Sequence, residues 1–168
     1  MQNWLKLLRI VEATDEFSGA VKLQKVAYIL QSLGRVPGEQ FRWHRFGPYS
    51  PSIASRLDEL EDMGALSIER PETAGVAHSF RLTECGRSII EVLGDEADAP
   101  IGELARELYE WSREELEVAA SIDYLRRHGR TSDEAIEEVK SLKAGISADV
   151  IDTAKQKLQD FRDTVTAG

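Results

Sequence analysis

The sequence predicts a mainly α-helical protein with one small β-hairpin, and three observations lead there. Apolar residues recur at steps of three and four through most of the chain, which places them on single helix faces. Two short extended pieces, Ala65 to Glu69 and Ser79 to Leu82, interrupt that rhythm once. Helix entry and exit signals then divide the rest into helices of ordinary length.

The elements follow in order. Residues 3–13 read as a helix with Trp4, Leu5, Leu8 and Val11 near one face. Asp15 to Gly19 is a polar break. Ala20 to Leu33 is a second helix, with Leu23, Val26, Ala27, Leu30 and Leu33 on one face and Gly34 at its stop. Arg35 to Gln40 contains Pro37-Gly38 and reads as a turn. Phe41 to Phe46 alternates aromatic and polar residues, as a short strand or extended arm does, and Gly47-Pro48-Tyr49 breaks it. Ser50 as N-cap and Pro51 in the first turn open a third helix, whose stripe is Ile53, Leu57 and Leu60. After Gly64 comes the hairpin, with Pro71 and Gly75 in its tip. Thr83 caps a helix whose Ile89, Ile90 and Leu93 are expected inside. Leu23, Leu30, Ile53, Leu57, Leu60, Leu66, Leu82 and Ile89 are thus the expected front core.

Gly94 to Pro100 is acidic and small-residued, an elbow between residues 1–94 and an acidic helical extension over 95–168. The extension begins with a helix from Ile101 to Trp111. Ser112 with Glu115 forms a capping box opening a helix to His128, stopped by Gly129. Thr131 with Glu134 forms a second box, for a helix to about Lys143. Ser147 caps a last helix, in which Ile151, Ala154, Leu158, Phe161 and Val165 form a seam. Internal packing is the expected use of that seam; a homodimer is its alternative, although it is short for an independent coiled coil.

Composition narrows the function classes. Hydrophobic residues make up 42% of the 168, enough for a packed core. No apolar run is long enough to span a bilayer, and the N-terminus lacks the pattern of a signal peptide. Cys85 is the single cysteine, so no internal disulfide forms. A cytoplasmic protein is the expectation. Residues 1–94 carry 11 Lys/Arg against 12 Asp/Glu, and residues 95–168 carry 10 against 18. A chain with net charge −9 offers phosphate backbones no global surplus of cations.

The front half resembles a winged helix in the order helix, helix, extended arm, helix, hairpin, helix. Met63-Gly64-Ala65-Leu66, followed by Phe80-Arg81-Leu82-Thr83-Glu84-Cys85-Gly86-Arg87, closely resembles the wing of bacterial winged-helix proteins. Lys22-Leu23-Gln24-Lys25, Tyr28 and Phe46-Gly47-Pro48-Tyr49-Ser50 resemble the Panacea domain of SocA-like antitoxins, and still more the YwgA-like bacterial proteins. Ala119 to Leu125, Ala135-Ile136 and Leu142-Lys143 are similar to the helical tail of the latter. The resemblance covers roughly residues 20–160. It implies a winged-helix-like N-terminal module with a β-hairpin wing, followed by a C-terminal helical bundle. For the antitoxin branch it implies neutralisation of a partner protein.

Nothing in the residues supports an enzyme. His44, His78 and His128 are scattered, no His/Cys/Asp spacing matches a zinc site, and no glycine-rich phosphate loop or serine elbow occurs. No cofactor is expected. Cys85 reads as a small structural residue in a helix's first turn. Helix 51–63 holds Arg56 against Asp58, Glu59, Glu61 and Asp62, which suits a solvated or protein-binding face better than a DNA groove. The candidate partner-binding residues are Lys22, Lys25, Arg42, Trp43, His44, Arg45 and Tyr49, a mixture of cations and aromatics. Their alternative is structural, with Lys and Arg stems covering the core and heads in water. A non-enzymatic protein-interaction module, antitoxin-like or adaptor-like, is the expected function; a winged-helix DNA-binding regulator is the alternative.

Overall fold

The computed structural model describes residues 2–36 and 38–168. Pro37, half of the expected Pro37-Gly38 turn, lies outside the described residues. The chain is mainly helical with a small antiparallel sheet. Its helices are α1 (Gln2–Val11), α2 (Ala20–Ser32), α3 (Pro51–Asp62), α4 (Glu84–Leu93), α5 (Ala99–Tyr109), α6 (Arg113–Arg127), α7 (Ser132–Leu142) and α8 (Ala148–Ala167). A 3-10 turn at Glu96–Asp98 leads into α5. The strands are β1 (Phe17–Ser18), β2 (Arg42–His44), β3 (Gly47–Tyr49), β4 (Leu66–Glu69) and β5 (Ser79–Leu82).

The hairpin β4–β5 pairs Leu66 with Leu82 and Ile68 with Phe80. A third strand, β1, joins its far edge through Phe17 opposite Phe80, so the order is β1-β5-β4. That strand replaces the expected polar break. Only Phe17 points inward, fully buried, and two residues are too few for an alternation to be visible in sequence. The Thr83 hydroxyl faces the carbonyls of Gly64 and Ala65 at 2.6 and 3.0 Å and accepts from the Gly86 N–H at 3.0 Å. A side chain on Gly86 would overlap the Ala65 carbonyl. The Leu-Thr-Glu-x-Gly run is therefore a joint that presses α4 onto the start of β4.

The second hairpin, β2–β3, pairs His44 with Gly47 around Arg45-Phe46. Gly47-Pro48-Tyr49 forms the return strand where a break was expected. Pro48 fits because it sits opposite Trp43 in a two-stranded ribbon, with no central ladder to interrupt. Gly47 has φ +89, and a Cβ there would overlap the Ser121 hydroxyl of α6.

One cluster of buried residues runs from Leu7 to Val165 across both halves of the chain. Helix α2 is its axis, buried without interruption from Leu23 to Leu30 and packed against α1, α5, α6 and β3. Leu23, Leu30, Ile53, Leu57, Leu60, Leu66 and Leu82 are buried as expected. Ile89 is only partly buried, and Leu93 is half exposed, because α4 lies on the outside and turns Ile90 inward instead. Leu33 likewise sits half-covered at the end of α2. Both capping boxes form, as does the Ser147 cap. Ser50 differs: its hydroxyl lies 2.9 Å from that of Ser52 and does not cap α3, although Pro51 occupies the first turn. The α8 seam is buried within the chain, along α6. Cys85 is exposed, since its side of α4 faces solvent.

Candidate functional site

The Lys-Leu-Gln-Lys and Gly-Pro-Tyr-Ser segments meet in space and fasten to each other. Gln24 bonds the backbone of Ser50 twice, donating to its carbonyl and accepting from its N–H, both at 2.9 Å. Lys25 Nζ donates to the Pro48 carbonyl at 2.7 Å. Two turns along, Gln31 repeats the clasp on Glu39, donating to its carbonyl at 2.8 Å and accepting from its N–H at 2.9 Å. Between them the Tyr28 ring meets Phe41 edge-on at 5.1 Å. Gln24, Tyr28 and Gln31 stand at steps of four and three, so one stripe of α2 holds residues 39–50 from end to end. That spacing was present in the sequence and is the signal by which the stripe could have been found.

This placement corrects the expected role of Lys25. Its side chain is buried, and it forms no ion pair among the described residues. Burial pushes its ammonium down to about 7, helped by the nearby positive charges of Lys143 and Arg113. Lys22 turns elsewhere, with Nζ 4.3 Å from the Tyr109 ring centroid on α5. Desolvation lowers its pKa too, against the pull of Glu110 and Glu115. The two lysines therefore present no common basic face, because one helix turn separates two different covers.

The arm presents the remaining candidates. Arg42, His44 and Arg45 are exposed, and Tyr49 is half-buried beneath His44 with ring centroids 5.4 Å apart. Arg45 rests over the Phe46 ring at 4.5 Å. Trp43 faces the opposite way and packs on Tyr124 of α6 at 5.7 Å. Beside the His44 face lies a cleft of about 430 Å³ between α2, the arm, α3 and the β4–β5 hairpin. Val21, Leu57, Ile68 and Phe80 make it apolar, and Asp58 and Arg70 stand at its rim.

Helix α3 turns its acids outward, but not all are free. Arg70 bridges Asp58 and Glu61, each at 2.8 Å, and Trp4 donates to Glu59 at 3.1 Å. The lone cation, Arg56, is paired with buried Glu39 at 2.9 Å. Glu39 also accepts from Asn3 at 3.0 Å and from the Ser52 hydroxyl.

Two further buried carboxylates escaped sequence reading. Glu117 binds Arg113 at 2.9 Å and also Lys143. Asp123 accepts the Tyr28 hydroxyl at 2.7 Å and pairs with Arg127 at 2.8 Å and with Arg162. Burial, then the Asp123 charge, raises the Tyr28 phenol far above its ordinary value. The signal was weak: an acid four residues before or after an arginine on a helix usually means a surface pair. Among the described residues no group of three His, Cys, Asp or Glu is arranged to hold a metal ion. No helix among them is long and apolar enough to cross a membrane.

The fold and site thus define a mainly helical chain with an anchored, cationic, aromatic arm. It is similar to the "Uncharacterized protein YwgA" of Bacillus subtilis (strain 168), with 27% identity over 92 residues. The match covers 54% of this chain and spans about half, 55%, of that protein's length. No family model matches the chain.

Proposed function

We propose that the protein is a non-enzymatic interaction module, antitoxin-like or adaptor-like, that binds a partner protein with the tip of the β2–β3 arm. The observation that carries this reading is the exposed set Arg42, His44 and Arg45 beside an apolar cleft, on an arm fixed to α2 by three polar anchors. A fixed arm loses little freedom on docking, and cations with aromatics beside an apolar depression suit an acidic, partly apolar partner. The frame we assign is winged-helix-like. The order α1, β1, α2, α3, β4, β5 and the sheet order β1-β5-β4 support it, as does the Thr83–Gly86 joint. The likeness to the Panacea domain of SocA-like antitoxins supports partner neutralisation, and the cytoplasm is the compartment that goes with it.

That same frame supports the second reading, a DNA-binding regulator. The charge of α3 weighs against it: four carboxylates, and one arginine already paired with Glu39. Co-purification from the native host supplies the partner. Arg42→Glu with Arg45→Glu is expected to weaken its binding while leaving the melting temperature nearly unchanged, since exposed substitutions stay within about 0.5 kcal/mol. Binding retained in that variant removes the arm as the site.

A further inference from the structure

The C-terminal end of α6 carries two adjoining recesses that the arm reading does not use. The first, of about 250 Å³, is walled by the rings of Tyr28, Phe41, Tyr124 and His128. The His128 ring stacks on Tyr124 at 4.0 Å and 19°, and Trp43 packs on Tyr124 at 5.7 Å with the rings tilted by 31°. His128 Nδ1 lies 2.7 Å from the Tyr124 carbonyl. A carbonyl only accepts, so Nδ1 carries the proton and the ring is held in place.

The second recess, of about 360 Å³, is lined by four arginines, Arg126, Arg127, Arg130 and Arg162, with Asp123 as its one acidic residue. Arg127 belongs to both recesses. Asp123 ties them together from beneath, holding Tyr28 of the first and Arg127 and Arg162 of the second. Arg126 is exposed and forms no ion pair among the described residues; Arg130 pairs with Glu138 at 3.1 Å.

Four arginines converging in the half of the chain that carries the −8 surplus call for a cause. The helix dipole accounts for Arg126 and Arg127 in the last turn of α6. Ion pairs account for the others: Glu138 holds Arg130, and Asp123 holds Arg162 together with Arg127. Four guanidinium groups against these two carboxylates still leave two positive charges in excess, with Arg126 unpaired among the described residues, and like charges brought together repel unless a further anion sits among them. Guanidinium forks suit phosphate oxygens, and flat aromatic walls suit a base.

We propose that this surface binds a nucleoside diphosphate, with the base in the aromatic recess and the phosphates among Arg126, Arg127, Arg130 and Arg162. A free nucleotide fits better than a long strand, because the rest of the acidic chain repels an extended phosphate backbone. This site is separate from the arm tip, so either reading stands without the other.

Calorimetric titration of the full chain with ADP, pyrophosphate, adenosine and an oligodeoxythymidine tests it. ADP is expected to bind more tightly than pyrophosphate or adenosine alone. Arg126→Glu with Arg130→Glu should weaken ADP roughly tenfold or more, the loss of one or more charge-assisted contacts. His128→Ala should weaken ADP but leave pyrophosphate unchanged, and Arg42→Glu with Arg45→Glu should change neither. Should the double arginine variant fail to fold, Arg126→Ala alone carries the same expectation. The proposal is overturned by no ADP binding at millimolar concentration, by pyrophosphate binding as tightly as ADP, or by arginine variants that bind like the parent. Binding of the oligonucleotide with none of ADP would also overturn it and point to a nucleic-acid strand instead.

Discussion

Helices α2 and α3 are nearly equal in length, and each mixes polar residues among apolar ones, yet they use them oppositely. On α3 the stripe Ile53, Leu57 and Leu60 is buried and the carboxylates face outward. On α2 the polar residues Gln24 and Lys25 are buried as deeply as their leucine neighbours. The difference is cover. Residues 39–50, α1, α5 and α6 cover α2 from Leu23 to Leu30, so the polar groups of that stretch must find partners inside, and they find the backbone of the segment covering them. Over the outer face of α3 only single side chains return among the described residues, Arg70 to Asp58 and Glu61 and Trp4 to Glu59, and its charges stay at the surface.

The contrast breaks most sharply on the apolar side of α3. Leu57→Ala is expected to cost about 2–5 kcal/mol, as for a leucine removed from a packed core. An unchanged urea midpoint would mean that α3 does not bury this stripe. On α2 the sharper test is polar. Gln24→Leu keeps the bulk but leaves the buried Ser50 N–H and carbonyl without partners, at about 1–3 kcal/mol. Faster amide exchange confined to residues 39–50 should accompany the loss. Least costly is the outside of α3: Asp58→Lys with Glu61→Lys breaks the exposed Arg70 bridges and should cost at most about 1 kcal/mol. If DNA is bound at all, a gel shift should show that variant binding it more strongly; weaker binding with the fold intact would make α3 the DNA-reading element.

Much of this fold was legible in the residues. The α3 stripe, the capping boxes at Ser112 and Thr131, and the α8 seam follow from local chemistry, because caps and periods act over a few residues. β1 was not legible, since Phe17 and Ser18 gain their partner from β5, some sixty residues on. Lys25 was not legible either. A lysine beside a glutamine reads as solvent-facing, and only the return of Pro48 over it takes it out of water. Of the candidate site, Arg42, His44 and Arg45 stay exposed, whereas Lys25 and Trp43 are spent on packing. The buried acids Glu39, Glu117 and Asp123 were hidden for the same reason as Lys25: their arginine and lysine partners arrive from other turns and other helices.

Lys25 is an internal anchor, and the pH dependence of unfolding reads that burial out. Its folded-state value of about 7 lies below that of the unfolded chain, near 10. Between those values the unfolded chain holds the extra proton, so stability rises with pH through that window. Below pH 7 both states are charged and the cost is constant. Above about pH 10 Tyr28 acts the other way, because its raised phenol keeps a proton that the unfolded chain gives up. Lys22 and Lys143 slope in the same sense as Lys25, and comparison with Lys25→Met removes them. Urea unfolding of the parent and of Lys25→Met, from pH 7 to pH 10, should show the parent gaining about 2–4 kcal/mol relative to the variant. Identical slopes in the two proteins would place the Lys25 ammonium in water and rule out an internal anchor.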